Sequence, residues 1–248
     1  GMLLAFNLPA SVPLWIAAIG SVAAIVVVKQ LFGGIGQNFV NPALAGRIIL
    51  LTSFPTAMAT WVKPLSWKTA AVTSATPLAS MYNEAGEFSK DALPSLTDML
   101  IGNRGGCLGE VCAIALIIGG LYLVIRKIIS PVIPLTFVGT VAVFMAIYGK
   151  FDFTFVAYQL LSGGLLLGAI FMATDYTTSP ISFKGKIIYG IGCGLVTSLI
   201  RCFGNLPEGV SFAIVLMNIL VPHIENLTTP KPFGTPKKEK KAKEEKTA

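Results

Sequence analysis

Three groups of residues in this chain have the types and spacing to do chemistry. The first is the hydroxyl-rich run LSWKTAAVTSATPLASMYNEAGEF from Leu65, in which Thr73, Ser74 and Thr76 precede Pro77. A residue before proline is pushed out of the helical region, so Thr76 is expected in an exposed, extended segment whose hydroxyl a modifying enzyme can reach. The second is GGIGQNFVNPALAGR from Gly33, which offers the amides of Asn38 and Asn41, with Arg47 one to two turns into the helix that follows. An amide donates and accepts without bringing charge into low dielectric. The same two residues also suit capping of a helix that starts at Pro42. The third group is Glu110, Asp175, Arg201, Glu208, Asn218 and His223, polar residues in or beside apolar sequence. Ionisable groups placed so are costly enough to count as functional by default. Glu110 and Glu208 read as carboxylates at helix starts, where the helix dipole favours them, with ion binding as the other reading. Asp175 reads as the organiser of the TTSP turn, Arg201 as a snorkelling side chain and His223 as an interface residue.

The elements that position these residues must be membrane helices. Of 248 residues 54% are hydrophobic and 12% charged, about half the ~25% of a soluble domain, which leaves too little polar surface to coat a soluble core. The net charge of +7 is concentrated in the tail between Lys231 and Lys246, which excludes a nucleic-acid-binding face. Cys107, Cys112, Cys193 and Cys202 show no CxxC spacing and read as packing residues, with a cluster shared at a subunit interface as the other reading; no metal ligands are assigned. The expected fold is all-α, a polytopic bundle of seven apolar segments within residues 1–229, followed by a disordered basic tail at 230–248. Ile128–Gly149 and Phe153–Thr174 read as the clearest spans, being free of charge and long enough for a hydrocarbon core of roughly 30 Å. Pro13–Val28 is a third, and Pro42–Trp61 a fourth, bent at Pro55. Val111–Ile125, Ile187–Ile200 and Gly209–Ile224 fall short of a full span and read as tilted helices or half-helices. Glycines at 163, 164 and 168, and at 190, 192 and 194, allow close helix approach.

Basic residues set the orientation. With the tail inside, Lys29, Arg126 and Lys127, and Lys184 and Lys186 also fall inside, which places the long connection at 62–110 outside the cytoplasm. The first residues lack the basic region of a signal peptide and start abruptly in apolar sequence, so the chain is expected to be the later part of a longer protein.

The segment VTSATPLA at Val72–Ala79 resembles the flavin-attachment motif of the RnfD and NqrB family of membrane redox subunits. The likeness extends to KQLFGGIGQNFVNPALAGR, GNRGGCLGE, MATDYTTSPIS and PEGVSFAIVLMNILVPHIE, covers residues 1 to 233, and is nearer to RnfD than to NqrB. It implies FMN joined to Thr76 by a phosphoester, with Thr73 and Ser74 as rival acceptors and a flavin transferase for maturation. Two positions depart from the family pattern, Ser74 where glycine is usual and Ala70 where aspartate is usual. On the opposite, cytoplasmic side of the membrane, the amides of Asn38 and Asn41 are expected to contact a second, noncovalent flavin, such as riboflavin, since the isoalloxazine edge alternates carbonyl and N–H groups that an amide matches.

Two functions follow as expectations. One is a subunit of an Rnf-type complex in a prokaryotic cytoplasmic membrane, carrying electrons from ferredoxin toward NAD⁺ while the assembly moves Na⁺ or H⁺. The other is a cofactor-free transporter or channel built on the short, glycine-interrupted spans. The chain has no NAD fingerprint and no ferredoxin cysteine pattern, so in the first reading the catalytic ends lie on partner subunits and this chain supplies no catalytic residue.

Overall fold

The computed structural model describes residues 1–34, 36–62, 76–81, 88–89, 93–204 and 208–230, and helices dominate them. The rival acceptors Thr73 and Ser74 and the basic tail lie outside the described residues. After the short helix α1 (Met2–Phe6), Pro13 leads into α2 (Leu14–Val22), which continues as a π-helix over Ala23–Gln30. Helix α3 (Pro42–Ser53) starts where the sequence places it, with Asn41 as N-cap and proline in the first turn. It stops at Phe54, because Pro55 cannot continue its hydrogen-bond ladder, and one further turn, α4 (Pro55–Met58), follows.

Within the long connection, α5 (Leu96–Ile101) is capped by Ser95 and ended by Gly102 in the left-handed region. Hydrogen bonds from Ser95 and then Asn103 hold the Asp98 carboxyl below the usual carboxylate range. The chain then builds α6 (Ala113–Ile125), α7 (Val132–Tyr148) and α8 (Phe153–Leu161), the last capped by Asp152. One turn, α9 (Leu165–Leu167), continues as a π-helical segment to Met172. Helices α10 (Phe183–Phe203), capped by Ser182, and α11 (Val210–Thr228) complete the bundle.

Four expectations about span length change, the first being Ile128–Gly149, of which α7 covers only Val132–Tyr148, 17 residues, because Lys127 and Pro131 turn the chain before it. Phe153–Thr174 is not one straight span, because α8 and the Leu165–Met172 helix meet at 63° across Ser162, Gly163 and Gly164. Phe183–Phe203 and Val210–Thr228, read as short from sequence, are long and apolar enough to cross a membrane. Lys184 and Lys186 lie inside the first turn of α10 rather than before it, which is why the sequence underestimates that helix.

Helices α7 and α10 form the tightest pair. Gly190 and Gly194 face Thr136 and Thr140, and a Cβ on Gly190 would overlap the Thr136 hydroxyl. Phe137, Val141 and Met145 of α7 and Tyr189 and Cys193 of α10 are fully or almost fully buried there. The outward faces carry Leu135, Val143, Ile147, Leu195 and Leu199, all exposed, as expected of surfaces whose solvent is lipid.

Candidate functional site: a buried charge cluster beside a broken helix

The break between α8 and α9 leaves carbonyls without helical partners, and in an apolar interior each must be satisfied. Arg201, in the last turn of α10, does this. Its Nη1 donates to the Gln159 carbonyl at 2.6 Å and its Nη2 to the Ser162 carbonyl at 3.1 Å. Arg201 is therefore a buried cap on the C-terminus of α8, where a cation is favoured by the dipole, and not a snorkelling side chain. Gly163 turns the chain at φ +64. A Cβ on Gly163 would lie 3.2 Å from Arg201 Nη2 and 3.5 Å from Leu78 Cδ2.

A second guanidinium lies on the other side of the same break. Arg47, on α3, is buried, pairs with Glu208 through Nη2 and donates from Nη1 to Asn7 Oδ1 at 2.8 Å. A Cβ on Gly164 would stand 3.5 Å from Arg47 Nη1 and 3.3 Å from Glu110 Oε2. Glu110 is 3% exposed, and Arg104 donates to its carbonyl at 2.8 Å. Neither carboxylate acts as the helix cap read from sequence. Cys112 and Gly209 occupy the N-cap positions of α6 and α11, while Glu208 pairs with Arg47 and Glu110 turns inward.

Cys107 belongs to the cluster as well. Its thiol donates to the Asn7 carbonyl at 3.2 Å, and ligand atoms of Cys107, Glu110 and Glu208 lie within 4.8 Å of one another. Among the described residues, Glu110 Oε2 and Glu208 Oε1 are buried with no hydrogen-bond donor. The cluster thus offers two acceptor oxygens inside a bundle, beside two guanidiniums that balance the carboxylates. Such an arrangement can take up a proton or hold a small cation without leaving a large net charge in low dielectric. The contacts of Cys107 and the pairing of Glu208 were not legible from spacing, because their partners Asn7 and Arg47 are distant in sequence, whereas Arg104 folds back on the nearby carbonyls of Glu110 and Val111.

The Thr76 segment packs against this region. Thr76 is 7% exposed, which corrects the expectation of an exposed hydroxyl. It heads a single turn to Ser80, with its carbonyl accepting from Ala79 and Ser80 N–H groups and its Oγ1 from Ala79 N at 3.3 Å. Leu78 seats this turn against Gly163, and Gln159 Nε2 donates to Met81 Sδ at 3.1 Å.

Asn38 and Asn41 are both buried. Asn41 Oδ1 accepts from Ala43 and Leu44 N–H groups, as a cap does, and its Nδ2 donates to the Met172 carbonyl at 3.2 Å. Asn218 on α11, its amide oriented to donate to Tyr189 Oη and the Thr178 carbonyl, accepts the Asn41 N–H at 3.0 Å. Asn38 Nδ2 donates to Thr177 Oγ1 at 3.0 Å, and no hydrogen bond to its Oδ1 occurs among the described residues. Asp175 organises its turn as expected, accepting from Thr177 and Thr178. Beside Asn41 lies a cavity of about 550 Å³, also lined by Lys29, Gln30, Phe171 and Asp175.

Comparison with known proteins gives this architecture its relatives. The sequence model of the NQR2, RnfD, RnfE family matches residues 1–234. The chain is 50% identical to the D subunit of the Na⁺-translocating ferredoxin:NAD⁺ oxidoreductase complex of Acetobacterium woodii, across 98% of this chain and 74% of that protein. It is 42% identical to the D subunit of the proton-translocating ferredoxin:NAD⁺ oxidoreductase complex of Clostridium ljungdahlii, across 95% and 73%. It is 40% identical to the D subunit of the ion-translocating oxidoreductase complex of Stutzerimonas stutzeri, across 94% and 74%.

Proposed function

The chain belongs to the NQR2, RnfD, RnfE family, and from that premise we propose that it is the D subunit of an ion-translocating ferredoxin:NAD⁺ oxidoreductase, a membrane electron carrier that works only with its partner subunits. The flavin chemistry is the finer part of this proposal. Thr76 carries FMN as a phosphoester, and Asn38 with Asn41 holds a second flavin noncovalently.

The fit of each site rests on its donors. At Thr76 the hydroxyl stands at the head of a turn, with the Ala79 N–H directed at its oxygen, so the same N–H is available to a phosphoester oxygen there. At the second site a cavity of about 550 Å³ falls within the roughly 300–1,000 Å³ usual for small-molecule sites. It combines an aromatic wall, Phe171, with polar groups at Lys29, Gln30 and Asp175. Of the two amides only Asn41 lines this cavity, with both ends engaged; Asn38 lies in the preceding loop outside the lining, its Nδ2 on Val40 O and Thr177 Oγ1 and its Oδ1 with no donor among the described residues.

Flavin, when bound, supplies the electron chemistry. The chain's own residues orient it and keep the interior charge in balance. The observation that carries the proposal is the packing of the Thr76 turn, through Leu78, on the break that also holds Glu110, Arg47 and Glu208. An electron carrier attached there would sit beside the Arg47–Glu208 ion pair, where its change of charge is felt by titratable or cation-holding groups. The orientation proposed from the basic loops puts the Thr76 turn outside the cytoplasm, in a prokaryotic cytoplasmic membrane.

Ultraviolet in-gel fluorescence of the denatured chain, made in a host that supplies the flavin transferase, tests the covalent part. A fluorescent band and a Thr76 peptide heavier by one FMN support it; an unmodified peptide removes it.

A further inference from the structure

The end of the bundle where α6 turns into α7 gathers basic side chains around a small cavity. Arg126 closes α6, and Lys127 reverses the chain with φ +57. Opposite them α10 begins, with Lys184 exposed and Lys186 half-buried in its first turn. Between these elements lies a cavity of about 210 Å³. Ser130, Ser179 and Lys186 supply its polar wall, and Ile128, Ile133 and Ile181 its apolar one.

Three observations say what this cavity takes. First, charge: the segments around the cavity carry four basic residues, Arg126, Lys127, Lys184 and Lys186, against two carboxylates, Asp175 and Glu225. Both carboxylates are engaged, Asp175 by Thr177 and Thr178 and Glu225 by the Ile181 N–H. Among the described residues Lys186 forms no ion pair. Second, the surroundings: Tyr176 and Ile181, at the mouth, are 82% and 83% exposed, and Phe183 beside them is 66% exposed. Large apolar and aromatic side chains at helix ends of a membrane protein mark the level of the lipid headgroups. Third, the lining is divided between polar side chains, among them Ser130, Ser179 and Lys186, that can donate to an anion, and four isoleucines suited to an acyl chain.

We propose that this cavity binds the headgroup of an anionic phospholipid. The phosphodiester lies against Lys186 and the hydroxyls of Ser130 and Ser179, with Arg126, Lys127 and Lys184 supplying the field and the acyl chains running outward along Ile128 and Ile181. Basic pockets between membrane helices recognise anionic headgroups in this way. A free phosphate would use the same donors but would gain nothing from the isoleucine wall.

The test is photo-labelling of the assembled complex in membranes, using diazirine-tagged phosphatidylglycerol, with tagged phosphatidylcholine as the neutral probe and inorganic phosphate as competitor. The phosphatidylglycerol probe should label peptides spanning Ile128–Ile133 and Thr174–Lys186 several-fold more than the neutral probe. Lys186→Gln should lower that labelling about fivefold, the weight of one basic side chain near an anionic surface. Lys150→Gln, the same charge change at an exposed site away from the cavity, should leave it unchanged. Labelling elsewhere on the complex, unaltered in Lys186→Gln, shows that the variant is folded. Equal labelling by both probes, no labelling of these peptides, or equal loss in the two variants overturns the proposal. Abolition by inorganic phosphate also overturns it, since the site is then one for a free anion.

Discussion

Arg47 on α3 and Glu208 before α11 form an ion pair across 161 residues of sequence, and Gly164 at the helix break is the backbone that lies against it. Removing one member of a buried pair leaves the other charge uncompensated. Glu208→Ala is expected to destabilise the protein by about 3 kcal/mol, toward the lower end of the range for buried pairs because the Glu208 side chain is 15% exposed. The double variant Arg47→Met with Glu208→Met should recover most of that loss. Thermal unfolding in detergent, followed by tryptophan fluorescence, measures both, and a double variant no more stable than the single one would show that the pair is not the source.

Thr76→Val should abolish covalent flavin while retaining the β-branched shape. Because the hydroxyl accepts a hydrogen bond within the turn, the substitution should also cost about 1 kcal/mol. Peptide mass and unfolding are read on the same preparation. Covalent flavin retained at the wild-type level would place the attachment at another residue.

The two asparagines should separate in their effects. Asn41→Ala removes a helix cap and the bond to the Met172 carbonyl, and is expected to destabilise by roughly 1–2 kcal/mol. Asn38→Ala removes no helix cap and should change stability less while depleting noncovalent flavin, because no described residue donates to its amide oxygen. Flavin extraction and unfolding curves of the two variants provide the comparison, and the reverse ranking would contradict the assignment.

Gly163→Ala introduces a side chain where φ is +64 and where its Cβ would crowd Arg201 Nη2 at 3.2 Å. The left-handed backbone alone costs about 1–2 kcal/mol. Gly139, whose Cβ would meet nothing within 4 Å, serves as the control, and Gly139→Ala should be neutral or stabilising. Equal melting temperatures for the two variants would show that the break tolerates a side chain.

The proposed orientation is tested by a cysteine at Ala79, which is exposed and follows the Thr76 turn. A membrane-impermeant thiol reagent should label it from outside intact cells. Labelling only after access from the cytoplasmic side would invert the topology.

Composition made the membrane bundle legible, and Asn before Pro42 made the start of α3 legible, because capping chemistry is local. The break at Ser162–Gly164 was not, since nothing charged interrupts Phe153–Thr174 and the group that stabilises the break, Arg201, lies 39 residues beyond Ser162. Lys184 and Lys186 concealed the first turn of α10 because a charge near a helix end looks like the end itself. Glu110 and Glu208 were visible as costly residues, but pattern alone assigned them to nearby helix starts. Their shared surroundings are built by contacts between distant segments, which spacing does not encode.

The Arg47–Glu208 pair also sets an order in time. A chain that emerges at ~5–20 residues per second presents Arg47 roughly 8–32 s before Glu208 exists. Over that interval α3 holds a guanidinium without its paired carboxylate, and among the described residues only Glu110, 63 residues on, can offset the charge sooner. A nascent chain halted before Glu208 is therefore expected to leave α3 more accessible to water than the complete chain does.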